Sequence, residues 1–180
     1  MLIKLNLLEK EDLNKIVEWN ANKSADDLLQ WAGPIYEYPL THAQIENYFL
    51  NEVKKDNSNI FVYKIQLVST DKVIGTIELR EIDEKNKTGK VCRFLIGEEG
   101  IRGRGIGAEV LKEVLRIGFK DLKFEKITLA VFDFNKSAIK CYENVGFRKV
   151  KFTENARMTV NENWNLYEMA ILKDEWNTKR

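Results

Sequence analysis

The 180-residue sequence contains only two cysteines, Cys92 and Cys141, and a single histidine, His42. The cysteines are not spaced as a CxxC pair, so we expect reduced, mostly buried thiols with structural roles. A lone histidine without a cysteine pair excludes the common zinc ligand sets, and the sequence carries no calcium-binding loop. No metal site is therefore predicted.

The sequence also lacks an excess of either charge and any long apolar run. Its 29 Lys and Arg balance 28 Asp and Glu, and a net charge of +1 predicts no nucleic-acid surface. No stretch approaches the ~20 apolar residues of a membrane span, and residues 1–5 do not resemble a targeting signal. We expect a cytoplasmic protein without a membrane partner.

Hydrophobic periodicity divides the chain into helices and strands. Helical spacing from Leu13 to Asn20 predicts a first helix, and Thr41-x-x-Gln44 is typical of a capping box that begins a second. Alternating apolar residues predict further strands, joined by short polar turns into an antiparallel meander before the chain reaches Gly97. The predicted strands occupy residues 2–7, 61–67, 73–82, 91–97, 126–132, 147–153 and 166–172.

A glycine- and arginine-rich turn, Arg102-Gly103-Arg104-Gly105-Ile106-Gly107, separates a strand from a helical pattern. Glycines let the backbone approach an anion, arginine supplies a charged fork, and a helix N-terminus offers unpaired N–H groups. The turn alone fits several phosphate-bearing cofactors. Asp133 lies near the position of a ribose-binding acid in dinucleotide folds, but the preceding meander is wrong for a doubly wound sheet.

A second motif follows the next strand: Asn135-x-Ser137-Ala138-Ile139-x-x-Tyr142-Glu143-x-x-Gly146-Phe147. Together with the Arg102-x-x-Gly105-x-Gly107 turn, it resembles the GNAT N-acetyltransferase superfamily. The resemblance implies a single α/β (α+β) domain over residues 1–180, with a mixed, mostly antiparallel sheet of about seven strands, opened at the cofactor site, and about four helices. It implies acceptor-side helices at 1–57, a cofactor-binding core at 58–153 and a C-terminal strand at 154–180.

The same resemblance implies acetyl-CoA as the co-substrate. The pyrophosphate is expected on the backbone N–H groups of Arg102, Gly103, Arg104, Gly105, Ile106, Gly107 and Ala108. The backbone of Leu95 and Ile96 is expected to pair with the pantetheine amides, in the manner of an added strand. Asn135 is expected to contact the pantetheine arm, to cap its helix, or to do both.

Tyr142 is the residue that the resemblance assigns to catalysis, as the acid that protonates the departing thiolate; the alternative is a tyrosine packed in the core. Some relatives carry a glutamate base where this chain has Ala130. Glu78 is a substitute for that base or an exposed strand carboxylate, and Asp133 is a weaker candidate. The predicted mechanism is direct transfer in a ternary complex.

The acceptor side is expected to draw on aromatic and acidic residues that suit a cationic amine or pack in the core. The acceptor is a small amine (polyamine, aminoglycoside or amino acid) or a protein N-terminus, and the protein is expected to be a monomer or homodimer. The alternative is a catalytically weak acetyl-CoA sensor or interaction module. The residues concerned are Trp31, Tyr36, Tyr38, Trp164, Tyr167, Asp26, Asp27 and Glu37.

Overall fold

A computed structural model describes residues 2–101, 104–159 and 162–178. Within these ranges, seven strands follow the order β1-β2-β3-β4-β5-β7-β6 in one sheet. The pairs β1–β2, β2–β3, β5–β7 and β6–β7 are antiparallel, whereas β4 and β5 are parallel. The mixed, mostly antiparallel sheet confirms the predicted fold class. Its strands are β1 (Ile3–Leu7), β2 (Ile60–Leu67), β3 (Val73–Asp83), β4 (Thr88–Ile96), β5 (Lys126–Phe132), β6 (Arg148–Met158) and β7 (Asn163–Leu172).

Six helices lie in the described part of the chain, two more than expected. They are α1 (Leu13–Asn20), α2 (Ala25–Ala32), α3 (His42–Tyr48), α4 (Ile106–Arg116), α5 (Lys136–Val145) and α6 (Lys173–Thr178). The unexpected α2 and α6 are short and bury few side chains, Leu28 and Ala32 in α2 and Trp176 in α6. A Ser24–Asp27 capping box begins α2, and α6 follows β7 directly, where the sequence predicted only a strand.

Two details of the sequence prediction are corrected. The Thr41 hydroxyl does accept the Gln44 N–H at 3.4 Å, but the Gln44 side chain does not return to Thr41. It accepts the Glu37 N–H at 2.8 Å and donates to the Glu37 carbonyl at 3.1 Å, which fixes the loop before α3. Both cysteines are outside any disulfide and are half-buried, whereas the sequence predicted mostly buried thiols. No described helix has the length and apolar character needed to cross a membrane.

The described residues form two compact units. The first contains residues up to Arg80 together with Cys92–Val110, and the second contains Glu81–Val91 and the chain from Leu111 onward. In the first unit, apolar side chains of α1 and α3 form a core that Val62 of β2 joins. Its buried members are Leu8, Leu13, Ile16, Ile45 and Phe49.

The second unit is built on the parallel pairing of β4 with β5 and on the β5–β7–β6 hydrogen-bond ladders. The helix α5 begins at the Asn135 cap and ends at Gly146, whose left-handed conformation (φ 118°) closes the helix. This C-cap is formed by the glycine of the second motif and returns the chain directly to β6. Phe147, just before β6, is 2% exposed.

Within the first unit, Gly75 of β3 allows a close backbone approach to the end of β4. A Cβ atom at position 75 would lie 2.1 Å from the Leu95 carbonyl oxygen and 3.1 Å from the Ile96 Cα. Both neighbours are backbone atoms of a paired strand and cannot move aside as a flexible side chain does. A side chain at this position must therefore displace the β4 backbone.

We predict that Gly75→Ala lowers the free energy of unfolding by about 2 kcal/mol or more, because the added methyl group overlaps a backbone oxygen. Urea denaturation of the purified variant measures the change. Ile82→Ala serves as the matched control, since Ile82 is on the same strand and 50% exposed. Equal, small effects of the two substitutions would contradict the close approach.

Candidate active site

The glycine-rich turn leads directly into α4 in the first unit. Gly105 has φ 76°, in the left-handed region that favours glycine, and a Cβ there would meet nothing within 4 Å. The requirement for glycine is therefore conformational rather than steric. The Glu109 N–H donates to the Gly105 carbonyl at 3.2 Å and is the first helical hydrogen bond. Arg102 and Gly103 lie outside the described residues.

The start of α4 is suited to an anion. The N–H groups of Ile106, Gly107 and Ala108 precede the first helical hydrogen bond and so have no acceptor within the helix. The positive end of the helix dipole lies at the same place. Arg104 and Gly105 are exposed to solvent beside these N–H groups. This arrangement fits the pyrophosphate of a coenzyme.

Leu95 and Ile96, the predicted pantetheine partners, end β4 in the same unit as the turn. Both side chains are half-buried. The strand is anchored there by the next residue, because the Gly97 N–H donates to the Ile74 carbonyl at 2.9 Å. The described part of the turn and the end of β4 therefore belong to the same unit. The family resemblance assigns both of them to acetyl-CoA.

Asn135 and Tyr142 belong to the second unit. The Asn135 Oδ1 accepts the Ala138 N–H at 3.2 Å, so this residue caps α5. Its Nδ2 makes no hydrogen bond in the described part of the chain and keeps its two donors. Tyr142 packs edge-on against Phe147, with ring centroids 6.2 Å apart, and its hydroxyl has no hydrogen-bond partner among the described residues. Burial, followed by the neighbouring Cys141, raises the pKa of Tyr142 well above its usual value.

Glu78 is at the centre of a group of charged and polar side chains in the first unit, which we call the Glu78 cluster (Tyr48, Glu78, Arg80 and Arg93). Its Oε1 accepts from the Arg80 Nε at 2.7 Å and from an Arg93 Nη at 2.6 Å. Its Oε2 accepts from the Tyr48 hydroxyl at 2.8 Å, and that hydroxyl accepts from Arg80 at 2.7 Å. Glu78 is only 1% exposed, so the expectation of an exposed strand carboxylate is wrong.

The surroundings of the cluster hold Arg93 in an unusual conformation. Arg93 has φ 46°, in a region that costs a residue other than glycine about 1–3 kcal/mol. Its guanidinium lies 4.9 Å from the centroid of the Tyr48 ring, and its buried Nε has no hydrogen-bond partner among residues 2–101, 104–159 and 162–178. Burial and Glu78 raise the pKa of Tyr48, so this hydroxyl stays protonated. Tyr36 packs edge-on against Tyr48 at 5.9 Å, and burial raises the pKa of Tyr36 to about 12.

A cavity of about 480 Å³ lies beside the cluster, within the first unit. Arg80 and Tyr48 form part of its wall, and Glu37 and Glu52 contribute carboxylates. Glu52 is paired with Lys55 at 3.1 Å, whereas the exposed Glu37 carboxylate has no ion pair or hydrogen bond among the described residues. The remaining lining is polar or aliphatic: Ile35, Gln44, Asn47 and Asn51.

The structure gives packing or capping contacts to most of the other predicted acceptor residues. Trp31 donates to the Asn20 side chain at 2.9 Å and packs against the core of the first unit. Trp164 is 5% exposed and lies 4.8 Å from Phe132, measured between ring centroids. Asp27 is used in the α2 capping box. Of the predicted acceptor residues, Glu37 lines the cavity and Tyr38 is 56% exposed.

Further predicted groups have local partners. The Asp133 carboxylate accepts from the Asn165 side chain at 3.0 Å. His42, in the first turn of α3, lies 3.9 Å from Glu46. Tyr167 packs against Phe152, with ring centroids 4.9 Å apart. Each of these three residues therefore contacts a neighbouring side chain and needs no ligand to explain its position.

Sequence reasoning did not identify Tyr48, Arg80 or Arg93. Tyr48 lies with Ile45 on the buried face of α3, where its hydroxyl gives no signal in the sequence. A signal was present in β3, where Thr76, Glu78 and Arg80 share one face and alternate with the apolar Ile77 and Leu79. Polar residues at this spacing on a buried strand indicate a buried polar group that needs partners.

Residues 25–147 match the model of the Acetyltransferase (GNAT) family. The chain is 29% identical over 125 residues to the SPbeta prophage-derived uncharacterized N-acetyltransferase YokL of Bacillus subtilis strain 168, covering 66% of this chain and 67% of that protein. It is 37% identical over 70 residues to the spermine/spermidine N(1)-acetyltransferase of the same organism, covering 38% of this chain and 45% of that protein.

A solved structure of similar fold is spermidine N-acetyltransferase from Vibrio cholerae in complex with CoA and spermine. It matches with a TM-score of 0.83 over 98% of each chain, at 21% sequence identity. At this identity the likeness shows the fold. The family match extends over most of the sequence and includes both motifs on which the resemblance was based. The chain therefore belongs to the GNAT acetyltransferase family and is an acetyl-CoA-dependent N-acetyltransferase.

Proposed function

We propose that this chain acetylates the primary amine of a small molecule bound in the cavity beside the Glu78 cluster. The observation that carries the proposal is a cavity of about 480 Å³ in the first unit, lined, apart from Arg80, by the segment that the family resemblance places on the acceptor side. This volume is within the range of small-molecule sites, roughly 300–1,000 Å³. The relatives named for spermine and spermidine acetylation support a small amine as acceptor.

The donor is assigned to the turn and to the two strand-end residues described above. The N–H groups of Ile106, Gly107 and Ala108, with the Arg104 side chain, would hold the pyrophosphate, and Arg102 and Gly103 belong to the same proposal. The backbone of Leu95 and Ile96 and the free Nδ2 donors of Asn135 would hold the pantetheine arm. Acetyl-CoA supplies the acetyl group as a thioester.

Tyr142 is the one catalytic side chain in the proposal. The acceptor nitrogen forms a bond to the acetyl carbon while the carbon–sulfur bond breaks, so a thiolate leaves. Tyr142 holds a proton on its phenolic oxygen and donates it to that sulfur. The nitrogen loses its own proton to solvent, and solvent returns a proton to the Tyr142 phenolate. The raised pKa keeps the Tyr142 hydroxyl protonated at neutral pH, and this hydroxyl has no hydrogen-bond partner among the described residues.

Glu78 fits a positioning role better than that of a general base. Of about four lone-pair positions on its carboxylate, three are occupied by Arg80, Arg93 and Tyr48. A base must instead present an open lone pair to the substrate ammonium. We therefore assign Glu78 to holding these three side chains in place, of which Arg80 and Tyr48 line the cavity.

We predict that acetyl-CoA and a small primary amine together release the CoA thiol, measured with a chromogenic disulfide. The panel contains spermidine, cadaverine, L-lysine, an aminoglycoside and a short peptide with a free N-terminus. At least one small amine should react faster than the peptide, because the cavity has the size of a small molecule. Tight CoA binding in calorimetry without thiol release from any amine would instead indicate a sensor or interaction module.

A separate variant tests the proposed binding site for the acetyl-CoA pyrophosphate. Gly105→Glu places a carboxylate where the pyrophosphate is proposed to bind, so the KM for acetyl-CoA should rise about tenfold or more. Gly33→Glu is the matched control, because Gly33 is also in the left-handed region (φ 66°) with nothing within 4 Å of its added Cβ. An unchanged KM in Gly105→Glu would show that the turn does not hold the donor.

We predict that Tyr142→Phe lowers kcat about a hundredfold, because the thiolate loses its proton donor. The acid form is the active one, and burial raises its pKa, so wild-type kcat should not fall on the alkaline side below about pH 10. Tyr63→Phe, a change of another buried tyrosine in β2, should retain wild-type kcat. Equal kcat in Tyr142→Phe and the wild type across this pH range would remove Tyr142 from the general-acid role.

A further inference from the structure

We propose that Arg80 forms a carboxylate-binding subsite in the cavity, so that the preferred acceptor is a small primary amine that also carries a carboxylate. This inference rests on the proposed function, because it names the class of acceptor for the same cavity. Polyamines carry amines and no anionic group. A carboxylate-binding subsite would therefore distinguish this chain from the relatives that are named for polyamine acetylation. Three features of the first unit support it.

The first feature is an excess of positive charge in the Glu78 cluster. Two guanidinium groups, on Arg80 and Arg93, share the single carboxylate of Glu78, and Tyr48 is neutral. The count is two positive charges against one negative, a net charge of +1. The side chains of Arg80 and Arg93 are 26% and 14% exposed, so water screens this charge only in part. Among the described residues, no carboxylate other than that of Glu78 contacts either guanidinium, so an anion bound against Arg80 would balance the charge.

The second feature is the orientation of Arg80. Its Nε donates to Glu78 and its Nη2 to Tyr48, so two hydrogen bonds fix the plane of the guanidinium. Its Nη1 makes no hydrogen bond within the described residues, and Arg80 lines the cavity. A guanidinium that is held on one edge and open on the other presents parallel N–H donors that match a carboxylate. The fixed geometry lowers the entropy lost on binding.

The third feature is the Glu37 carboxylate, which belongs to the same cavity. Its backbone is fixed on both sides by Gln44, and its side chain has no ion pair among the described residues. Glu52 is the other carboxylate of the lining, and Lys55 already pairs with it. The cavity therefore offers one open guanidinium and one unpaired carboxylate. A molecule with a carboxylate and an ammonium group complements both.

The test compares amines that differ only in a carboxylate: L-lysine with cadaverine, L-ornithine with putrescine, and β-alanine with ethylamine. Wild-type kcat/KM should be about tenfold or more higher for at least one carboxylate-bearing member than for its decarboxylated partner. Calorimetric binding of the same pairs to the CoA-loaded protein should show a preference of the same sign. Higher kcat/KM for every decarboxylated member would overturn the subsite while leaving the acetyltransferase function intact.

Variants of Arg80 test whether this residue causes the preference for a carboxylate-bearing amine. Arg80→Gln should reduce the ratio of kcat/KM within the preferred pair to near one, and Arg80→Lys should retain part of it, since lysine keeps the charge without the fork. Arg116→Gln is the matched control: Arg116 is also ion-paired, with Glu113 at 2.9 Å and Asp121 at 3.0 Å, and the variant should keep the wild-type ratio. A full preference in a folded Arg80→Gln protein would overturn the proposal.

The binding measurement separates the two proposals. If no amine releases thiol but the carboxylate-bearing member still binds more tightly, and Arg80→Gln removes that difference, the subsite stands and the proposed activity fails. If amines react with no preference for a carboxylate, the activity stands and the subsite fails. If no amine binds or reacts, both are overturned. Circular dichroism of Arg80→Gln and Arg80→Lys establishes that each variant is folded.

Discussion

The buried carboxylate of Glu78 is the interaction on which the first unit depends. It joins β3 to α3 through Tyr48 and to β4 through Arg93, and it fixes Arg80 at the cavity. Burying an ionised group is unfavourable unless it is paired and hydrogen-bonded, and here each charge has a partner. Removal of the Glu78 carboxylate would leave the Arg80 and Arg93 guanidinium groups close together without their shared counter-charge. The Glu78 cluster is therefore stable only with this carboxylate in place.

The proposed donor and acceptor sites are built differently. The proposed donor turn is local: a glycine at φ 76° and the following helix start present N–H groups within four consecutive residues. The proposed acceptor cavity combines residues 35–52 with Arg80 of β3, which is distant from them in sequence. A change in a few cavity side chains can therefore alter the acceptor site without altering the turn.

This difference also explains how much could be predicted from the sequence. The meander, the Asn135 cap, the Gly146 C-cap and the start of α4 follow from local patterns, and the structure contains each of them. Two short helices, α2 and α6, were missed because each buries no more than two side chains, which is too few to mark a helical face in the sequence. The Glu78 cluster was also missed, since Tyr48 is 30 residues from Glu78 and Arg93 is 15 residues from it. No short-range sequence pattern predicts contact between a tyrosine on a helix and a carboxylate on a strand.

The most direct measurement is a double-mutant cycle on the preference for L-lysine over cadaverine, expressed as the ratio of their kcat/KM values. If Glu78 acts by holding Arg80 toward the cavity, Glu78→Gln should lose nearly as much of the ratio as Arg80→Gln, and the double variant should lose no more than either. A full ratio in Glu78→Gln, or losses that multiply in the double variant, would contradict a carboxylate subsite organised by Glu78.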